Sequence, residues 1–520
     1  MCGIWALIGK TIEPDMVAAC LDNLKARGPE GSRIVTNHRF QMGFTRLALN
    51  GLNDGGMQPM VSNELQWICN GEIYNWKDLG CSNSGSDCEV LGPFYRRCKT
   101  PGTFFRGLRG VFACVIVDIF TDTAIVGRDP YGVRPLFISK NADSFVFTSE
   151  IKASPYKNII PFPPGFYARI NMTTLHISFV KYHHIAKSLV QDPILSIRNS
   201  LENAVSIRMM TERPIAALLS GGLDSSLIAA LVQKELKKAN KPRLKTFSIG
   251  FEGSEDLKYA KIVSKHIGSD HTEIITTPSE FFEHIPAVIY DIESYDITTV
   301  RASVGNWLVG REIAKTDCKV VFNGDGSDEL LGGYLYFHRA PSHESFEAES
   351  NRLLRDIHLF DVLRSDRCIS SHGLEPRTPF LDKEFVNLVK SIPIEFRRPC
   401  PTQIEKWILR KAFDDGTLPF EVLWRKKEAF SDGVSTPQAV SWFEECQLRA
   451  LAREPDWKTH VNKFVHLPPY TAESYYYRKL FENMYPNAEK TIPYFWMPKW
   501  SPETNDPSAR TLNPPTVNSS

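Results

Sequence analysis

Apolar residues over the first 185 positions come in short runs broken by Gly, Asn and Asp. MCGIWALIG, QMGFTRLALN, LQWICNGEIYN, VFACVIVDIF, TAIVGRDPYGVRPLFIS and SFVFTS all follow this pattern. Runs of this length, bounded by turn residues, predict strands joined by turns. Several are apolar at odd and even positions alike, so the sheets they build must be covered on both faces. A polar connection follows, roughly Ala186 to Ile197. Beyond it the pattern alternates. RPIAALLS reads as a buried strand and SSLIAALVQKELKKAN as a helix. KTFSIGFE, HTEIITT and CKVVFNG read as further strands, and DLKYAKIVSKHIG carries apolar residues at helical spacing. Strand–helix alternation predicts a parallel, doubly wound sheet. From Glu344 onward the chain reads mostly helical. The tail, SPETNDPSARTLNPPTVNSS, has a composition that predicts disorder.

Composition narrows the class without naming it. A chain of 520 residues exceeds one ordinary core, and two large α/β domains would account for it. Net charge of +1 exerts no general pull toward nucleic acid or anionic lipid. No apolar run is long enough for a membrane-spanning helix, and the N-terminus lacks the basic region of a signal peptide. Eleven scattered cysteines fit free thiols in a reducing compartment, so the cytoplasm is the expected location. The thirteen histidines contain no HExxH; adjacent His183 and His184 fall in the connection and read as structural or solvated. YFWMPKW reads as a packing cluster, because no basic stripe accompanies it.

Two glycine-containing strings carry the chemistry of the second half. In SGGLDSS, Ser220 to Ser226, Gly221 and Gly222 allow a tight turn and close approach to a ligand. The helix start beyond offers free N–H groups suited to phosphate. Ser220, Ser225 and Ser226 add hydroxyls, and Asp224 suits a Mg2+ ion bridging to a phosphate. The Walker A pattern GxxxxGK[ST] occurs nowhere in the chain. The second string, NGDGSDELLGGY from Asn323 to Tyr334, follows another predicted strand, where doubly wound sheets bind ligands.

SGGLDSS resembles the pyrophosphate loop of the N-type ATP pyrophosphatase family, whose members activate a carboxylate or carbonyl by adenylation. NGDGSDE is similar to the SGEGSDE of that family's asparagine synthetase branch. YDITTVRAS, GLEPRTPFLD, RKKEAFSDG, YFWMPKW and DPSARTL extend the likeness nearly end to end. The resemblance implies ATP at Leu219, Ser220, Gly221, Gly222, Asp224, Ser225, Ile249, Asn323 and Gly324. It implies Mg2+ at Asp224 and Asp328, and stabilisation of phosphate charge by Arg301 and Lys427.

The N-terminal MCG resembles the class II glutamine amidotransferases, whose nucleophile is the first residue of the mature chain. Removal of Met1 would leave Cys2 with a free α-amine. An α-amine has a pKa of about 8 and a thiol about 8.5, so the residue would carry its own general base. NGEIYN matches the family's oxyanion hole, here Asn70 and Gly71; taken alone, Asn-Gly reads as a hairpin turn. Arg46 of FTRLALN matches the arginine for the glutamine α-carboxylate, and Asp87 of SGSDCEVL the aspartate for its ammonium. Leu47, Ala48, Leu49, Asn50 and Glu72 join them as the implied glutamine-binding set. RGPEG and GRDPYGVRPLF complete the likeness.

The expectation is therefore an α/β protein with two domains. Residues 1–190 form an αββα sandwich of two antiparallel sheets, of the N-terminal nucleophile type. Residues 191–520 form a doubly wound parallel sheet with extra helices and a flexible tail. The implied activity is ATP-dependent synthesis of L-asparagine from L-aspartate, using ammonia released from L-glutamine. It would proceed through β-aspartyl-AMP and yield AMP, pyrophosphate and L-glutamate. Ammonia would pass between the domains under shelter. No nucleic acid or membrane is expected as a partner, and a homodimer is left open. Two positions depart from the family: Asn323 replaces Ser, and Asp325 replaces a Glu implied in forming or consuming the adenylate. Asp is one methylene shorter, a setback of roughly an ångström that can cost about a hundredfold in rate unless the backbone shifts. Ala26 and Thr45 stand where relatives often carry His. The alternatives are a slow or inactive relative, or an amidotransferase with another acceptor.

Overall fold

The computed structural model describes residues 1–80, 85–400, 402–427, 434–435 and 441–501. Among the described residues the N-terminal part contains twelve strands. β1 to β6 are Gly3–Gly9, Ser32–Asn37, Phe40–Thr45, Met60–Ser62, Leu65–Ile73 and Gly110–Asp118. β7 to β12 are Thr123–Arg128, Phe137–Lys140, Ser144–Thr148, Ile160–Pro161, Phe166–Asn171 and Ile177–Lys181. They form two antiparallel six-stranded sheets, ordered β10-β8-β9-β1-β3-β2 and β12-β11-β7-β6-β5-β4.

Strand periodicity explains why apolar runs without alternation were needed. Ile4, Ala6 and Ile8 of β1 point between the sheets, against Ala113, Val115 and Val117 of β6. Trp5 and Leu7 point the other way, onto Val17, Cys20 and Leu21 of the helix Pro14–Asp22. On the second sheet, Trp67, Cys69 and Ile116 face the helices Leu91–Arg97 and Pro101–Gly107 through Leu91, Phe104 and Phe105. The result is helix, sheet, sheet, helix. Asn70 and Gly71 lie inside β5, so the Asn-Gly pair is no hairpin turn.

Residues 182–192 carry no regular element. Within them His183 is half-buried against Tyr131, and burial pushes its imidazole down to about 4. The helix Pro193–Ile207 then starts with Asp192 accepting from the Leu195 N–H at 3.0 Å. Five parallel strands follow: β13 Ile215–Leu218, β14 Lys245–Phe251, β15 Asp270–Thr276, β16 Val320–Phe322 and β17 Glu375–Arg377, in the order β15-β14-β13-β16-β17. Ile215 and Ala217 of β13 and Val320 and Phe322 of β16 join one apolar cluster; Ala216 and Val321 join the other. Both faces are thus buried. The order reverses between β13 and β16, so the loops leaving these two strands diverge around a crevice at their carboxyl ends. SGGLDSS and NGDGSDE are those two loops. The predicted disorder of the C-terminal tail falls on 502–520, outside the described residues.

The two parts share a buried seam. Leu47, Leu49, Tyr74, Val111, Tyr131 and Val133 of the sandwich belong to the same apolar cluster as Leu219, Leu223 and Leu330 of the parallel-sheet part. Charged partners frame it. Arg27 bonds Glu150 at 2.8 Å and Asp366 at 2.9 Å, and Arg109 bonds Asp382 at 2.8 Å. Arg134 reaches Glu375 at 3.3 Å, and Arg377 lies 3.7 Å from Glu72. Each of these four arginines therefore has a carboxylate partner across the seam, which offsets the desolvation that would otherwise oppose docking.

Candidate active sites

The first site is built by β1, β3 and the end of β5. Antiparallel pairing sets Gly3 opposite Thr45, which brings the segment after β3 beside Cys2. The Cys2 thiol donates to the Leu47 carbonyl at 3.7 Å. With Met1 attached and buried, burial pushes the thiol up to about 11 and the Met1 α-amine down to about 6. Asn70 is fully buried, and neither amide atom has a partner among the described residues. A buried amide without partners normally incurs a desolvation cost of about 1–3 kcal/mol, so this side chain suits a ligand's oxygen.

Arg46 is oriented by the carbonyls of Asn53, at 2.8 Å, and Gly51. Asp87 is buried, and its carboxylate accepts the Ile73 N–H at 2.7 Å. Burial outweighs that hydrogen bond and raises the carboxyl to about 6. A Cβ on Gly85 would lie 3.4 Å from the Gly51 Cα, so the segment leading to Asp87 packs against the loop whose Gly51 carbonyl accepts from Arg46. Ala48 and Leu49 offer backbone atoms that the other half of the chain engages, through Arg213 and Glu212. Asn50 donates to Glu72 at 2.9 Å. Burial, then the neighbouring Asp87 and Glu375, push the Glu72 carboxyl well up. The described residues thus hold a thiol, an unpartnered amide, a cation and an anion in one end of the sandwich.

The second site is a cavity of about 280 Å³ at the crevice. Leu219, Ser220, Gly222, Asp224, Ser225, Ile249, Asn323, Gly324, Asp325, Asp328 and Lys427 all line it. Gly221 does not. Its φ of +76° turns the loop, and a Cβ there would meet the backbone of Tyr259 and Ala260, so its role is to let the loop sit against the helix Glu255–Ile267. Gly324 allows the second loop to touch the first: a Cβ would lie 2.8 Å from Asp224. Ser220 and Ser225 share a 2.9 Å hydrogen bond, and the helix Leu223–Lys238 begins without a side-chain cap, leaving its N–H groups toward the cavity.

Asp224 and Asp328 converge from the two loops. Lys406 Nζ lies 2.5 Å from Asp224 and 2.6 Å from Asp328, and Lys427 lies 2.7 Å from the other Asp328 oxygen. Burial alone would raise the Asp328 carboxyl; the two ammonium groups hold it well below the usual range. Two hard carboxylates that one cation can touch fit Mg2+, provided that a triphosphate and water complete its shell. Among the described residues no cluster of three or more His, Cys, Asp or Glu could hold a metal alone. Lys406 was not anticipated from the sequence. Its signal is weak: IEKWILR shows only a basic helical stretch, and Lys406 itself adopts a left-handed backbone, φ 57°.

Arg301 corrects an expectation. It does not line the cavity. It is buried on the helix Ile297–Ala314, where Glu473 binds it at 2.8 Å and the Phe443 ring covers it. Arginine's long reach made it a plausible phosphate partner, but a buried carboxylate from a distant helix claims the guanidinium. Asp325 lines the cavity; burial raises its carboxyl, and Arg364 lies 3.4 Å from it. Asn323 donates to Ser365 at 2.5 Å.

Together the sandwich and the crevice belong to a two-part class: a glutamine amidotransferase domain joined to an asparagine synthase domain. A family model described as glutamine amidotransferase domain matches residues 1–191, and one described as asparagine synthase matches residues 196–355 and 341–511. The chain is 42% identical to the glutamine-hydrolysing asparagine synthetases of Homo sapiens and Gallus gallus, and 41% identical to that of Bos taurus. Each alignment covers 98% of both chains. The chain belongs to the glutamine-hydrolysing asparagine synthetase family and is an enzyme, a carbon–nitrogen ligase. No helix among the described residues is long and apolar enough to cross a membrane.

Proposed function

We propose that this enzyme makes L-asparagine from L-aspartate, ATP and the amide nitrogen of L-glutamine, with residues 1–190 as the glutaminase and the remainder as the synthetase, in the cytoplasm. The observation that carries the reading is the pair of sites on one buried seam: a near-terminal thiol beside an unpartnered buried amide, and a two-loop crevice holding paired aspartates. Once Met1 is removed, the Cys2 α-amine takes the thiol proton and the thiolate attacks the glutamine amide carbon. Asn70 Nδ2 and the Gly71 N–H receive the developing oxyanion, and Arg46 and Asp87 hold the glutamine head group. Collapse expels ammonia, and water then cleaves the thioester to give glutamate.

In the crevice, Ser220, Gly222 and Ser225 bind the β- and γ-phosphates, while Leu219, Ile249 and Gly324 flank the nucleoside. Asp224 and Asp328 would hold Mg2+, which when bound screens phosphate charge. Lys406 and Lys427 then turn from the aspartates to the phosphates. The aspartate β-carboxylate attacks the α-phosphorus, so that pyrophosphate leaves and β-aspartyl-AMP forms. Ammonia crossing the apolar seam near Leu47, Val111, Val133 and Leu219 adds to the acyl carbon, a carboxylate such as Asp325 receives the surplus proton, and AMP departs. Bulk water would protonate most of the ammonia, which is why the seam matters.

The test is direct. Glutamate release from glutamine should vanish in Cys2→Ala, while asparagine formation from aspartate, ATP and free ammonium persists. Loss of both activities, or survival of glutaminase, would overturn the assignment.

A further inference from the structure

Lys406 stands where a divalent cation shared by the two aspartates would have to stand. Its Nζ lies 2.5 Å from Asp224 Oδ2 and 2.6 Å from Asp328 Oδ1, so one ammonium bridges carboxylates that arrive from two different loops. Lys427 takes the other Asp328 oxygen at 2.7 Å, and the Ser327 hydroxyl donates to the other Asp224 oxygen at 2.8 Å. Every carboxylate oxygen of the pair thus meets an ammonium or a hydroxyl. The seat of Lys406 is specific. The residue is buried, and it holds a left-handed backbone, φ 57°, at the start of the helix Trp407–Ala412, a conformation unfavourable for a residue with a Cβ. Gly333 makes the room: a Cβ there would lie 2.0 Å from both Lys406 Cε and Asp328 Oδ1. Glu405, the residue before it, accepts the Lys427 N–H at 2.9 Å and so ties the segments of the two lysines together.

An ammonium in this place and a metal ion held by both aspartates exclude each other, because two cations would need the same space and oxygens. Charge decides when they exchange. Two aspartates and two lysines balance around this point. A bare divalent cation would leave buried positive charge uncompensated, or expel an ammonium with no anion to receive it. A triphosphate supplies what is missing: oxygens for the metal and acceptors for the displaced lysine. We infer that Lys406 is a positioning residue that keeps the aspartate pair closed to free divalent cations and yields it only to a metal arriving with a polyphosphate, so that metal and nucleotide enter together. This rests on the function proposed above and adds to it the order in which the second site fills.

Mn2+ is the probe, because the unbound ion is counted directly by electron paramagnetic resonance. The full-length enzyme is titrated with Mn2+ alone, and then with Mn2+ and α,β-methylene-ATP, whose α–β bridge resists cleavage. Without nucleotide, Lys406→Met and Lys406→Gln should each bind one Mn2+ per chain at least about tenfold more tightly than wild type, since the fraction of enzyme with an open aspartate pair no longer limits binding. Adding Asp224→Asn to Lys406→Met should abolish the gained binding, which assigns it to the crevice. With the analogue present the ranking should invert: wild type, whose ammonium then grips phosphate, should hold the Mn2+–analogue complex about tenfold more tightly than either variant. A merely structural lysine would give losses in both titrations and no inversion. Glutamate release from glutamine, which uses the other site, reports that each variant is folded. Equal Mn2+ affinity of wild type and both variants in the absence of nucleotide would overturn the inference. A wild-type enzyme that takes up no Mn2+–analogue complex would instead bring down the parent reading.

Discussion

Asn70→Leu separates stability from catalysis at one atom. Asn70 lies in the interior of β5, is 0% exposed, and neither Nδ2 nor Oδ1 has a partner among the described residues. Leu has nearly the same shape and suits the strand, while removing two polar atoms from an apolar surround. Relief of that unmet desolvation is worth about 1–3 kcal/mol. The same change deletes the oxyanion donor, which costs about 3–4 kcal/mol in the barrier, or 10²–10³ in kcat. The variant should therefore unfold at a higher temperature than wild type while its glutaminase kcat falls by that factor. Ammonia-dependent asparagine synthesis, which bypasses the first site, should stay within about twofold. Thermal unfolding followed by fluorescence and a glutamate-release assay on the same preparation give both numbers. A lower midpoint together with retained glutaminase activity would refute the reasoning, because it would mean that Asn70 holds the fold rather than the oxyanion.

Other outcomes follow from the same geometry. Asp325→Glu adds the methylene that the relatives' residue carries and closes the 3.4 Å gap to Arg364; asparagine synthesis should change, upward by as much as about a hundredfold if misplacement limits it, with glutaminase activity untouched. Measured loss of both activities together would count against a role for Asp325 confined to the crevice. Asp87 has its carboxyl raised to about 6 by burial, so it is charged above that pH and neutral below it. Since only the charged form attracts the glutamine ammonium, kcat/KM for glutamine should fall about tenfold per pH unit below pH 6. Asp87→Asn should weaken glutamine binding and flatten that limb; a limb unchanged in the variant would assign it to another group.

Much of the site was legible because its parts are local strings. SGGLDSS needs only a strand end, a turn and a helix start, and those come from neighbouring residues. The alternation of apolar runs in the second half likewise predicts β13, β14, β15 and β16 at their observed places. β17 was not legible: Glu375, Pro376 and Arg377 have no strand pattern, yet they pair with β16 while their charged side chains meet Arg134 and Glu72 of the sandwich. The Arg301 expectation failed for a related reason. A motif fixes which residue is available, whereas Glu473, 172 positions away, decides where its guanidinium goes.

By itself, then, the amino-acid order determined the two architectures and the strings that could bind glutamine and ATP, since both depend on periodicity and short-range turns. Only the tertiary structure decided that Lys406 stands between Asp224 and Asp328, that Asn70 is buried without partners among the described residues, and that Arg364 reaches Asp325 across the crevice. Those facts depend on side chains from distant segments competing for the same few ångströms. Such competition is settled by packing and desolvation across the whole chain, and no local pattern records it.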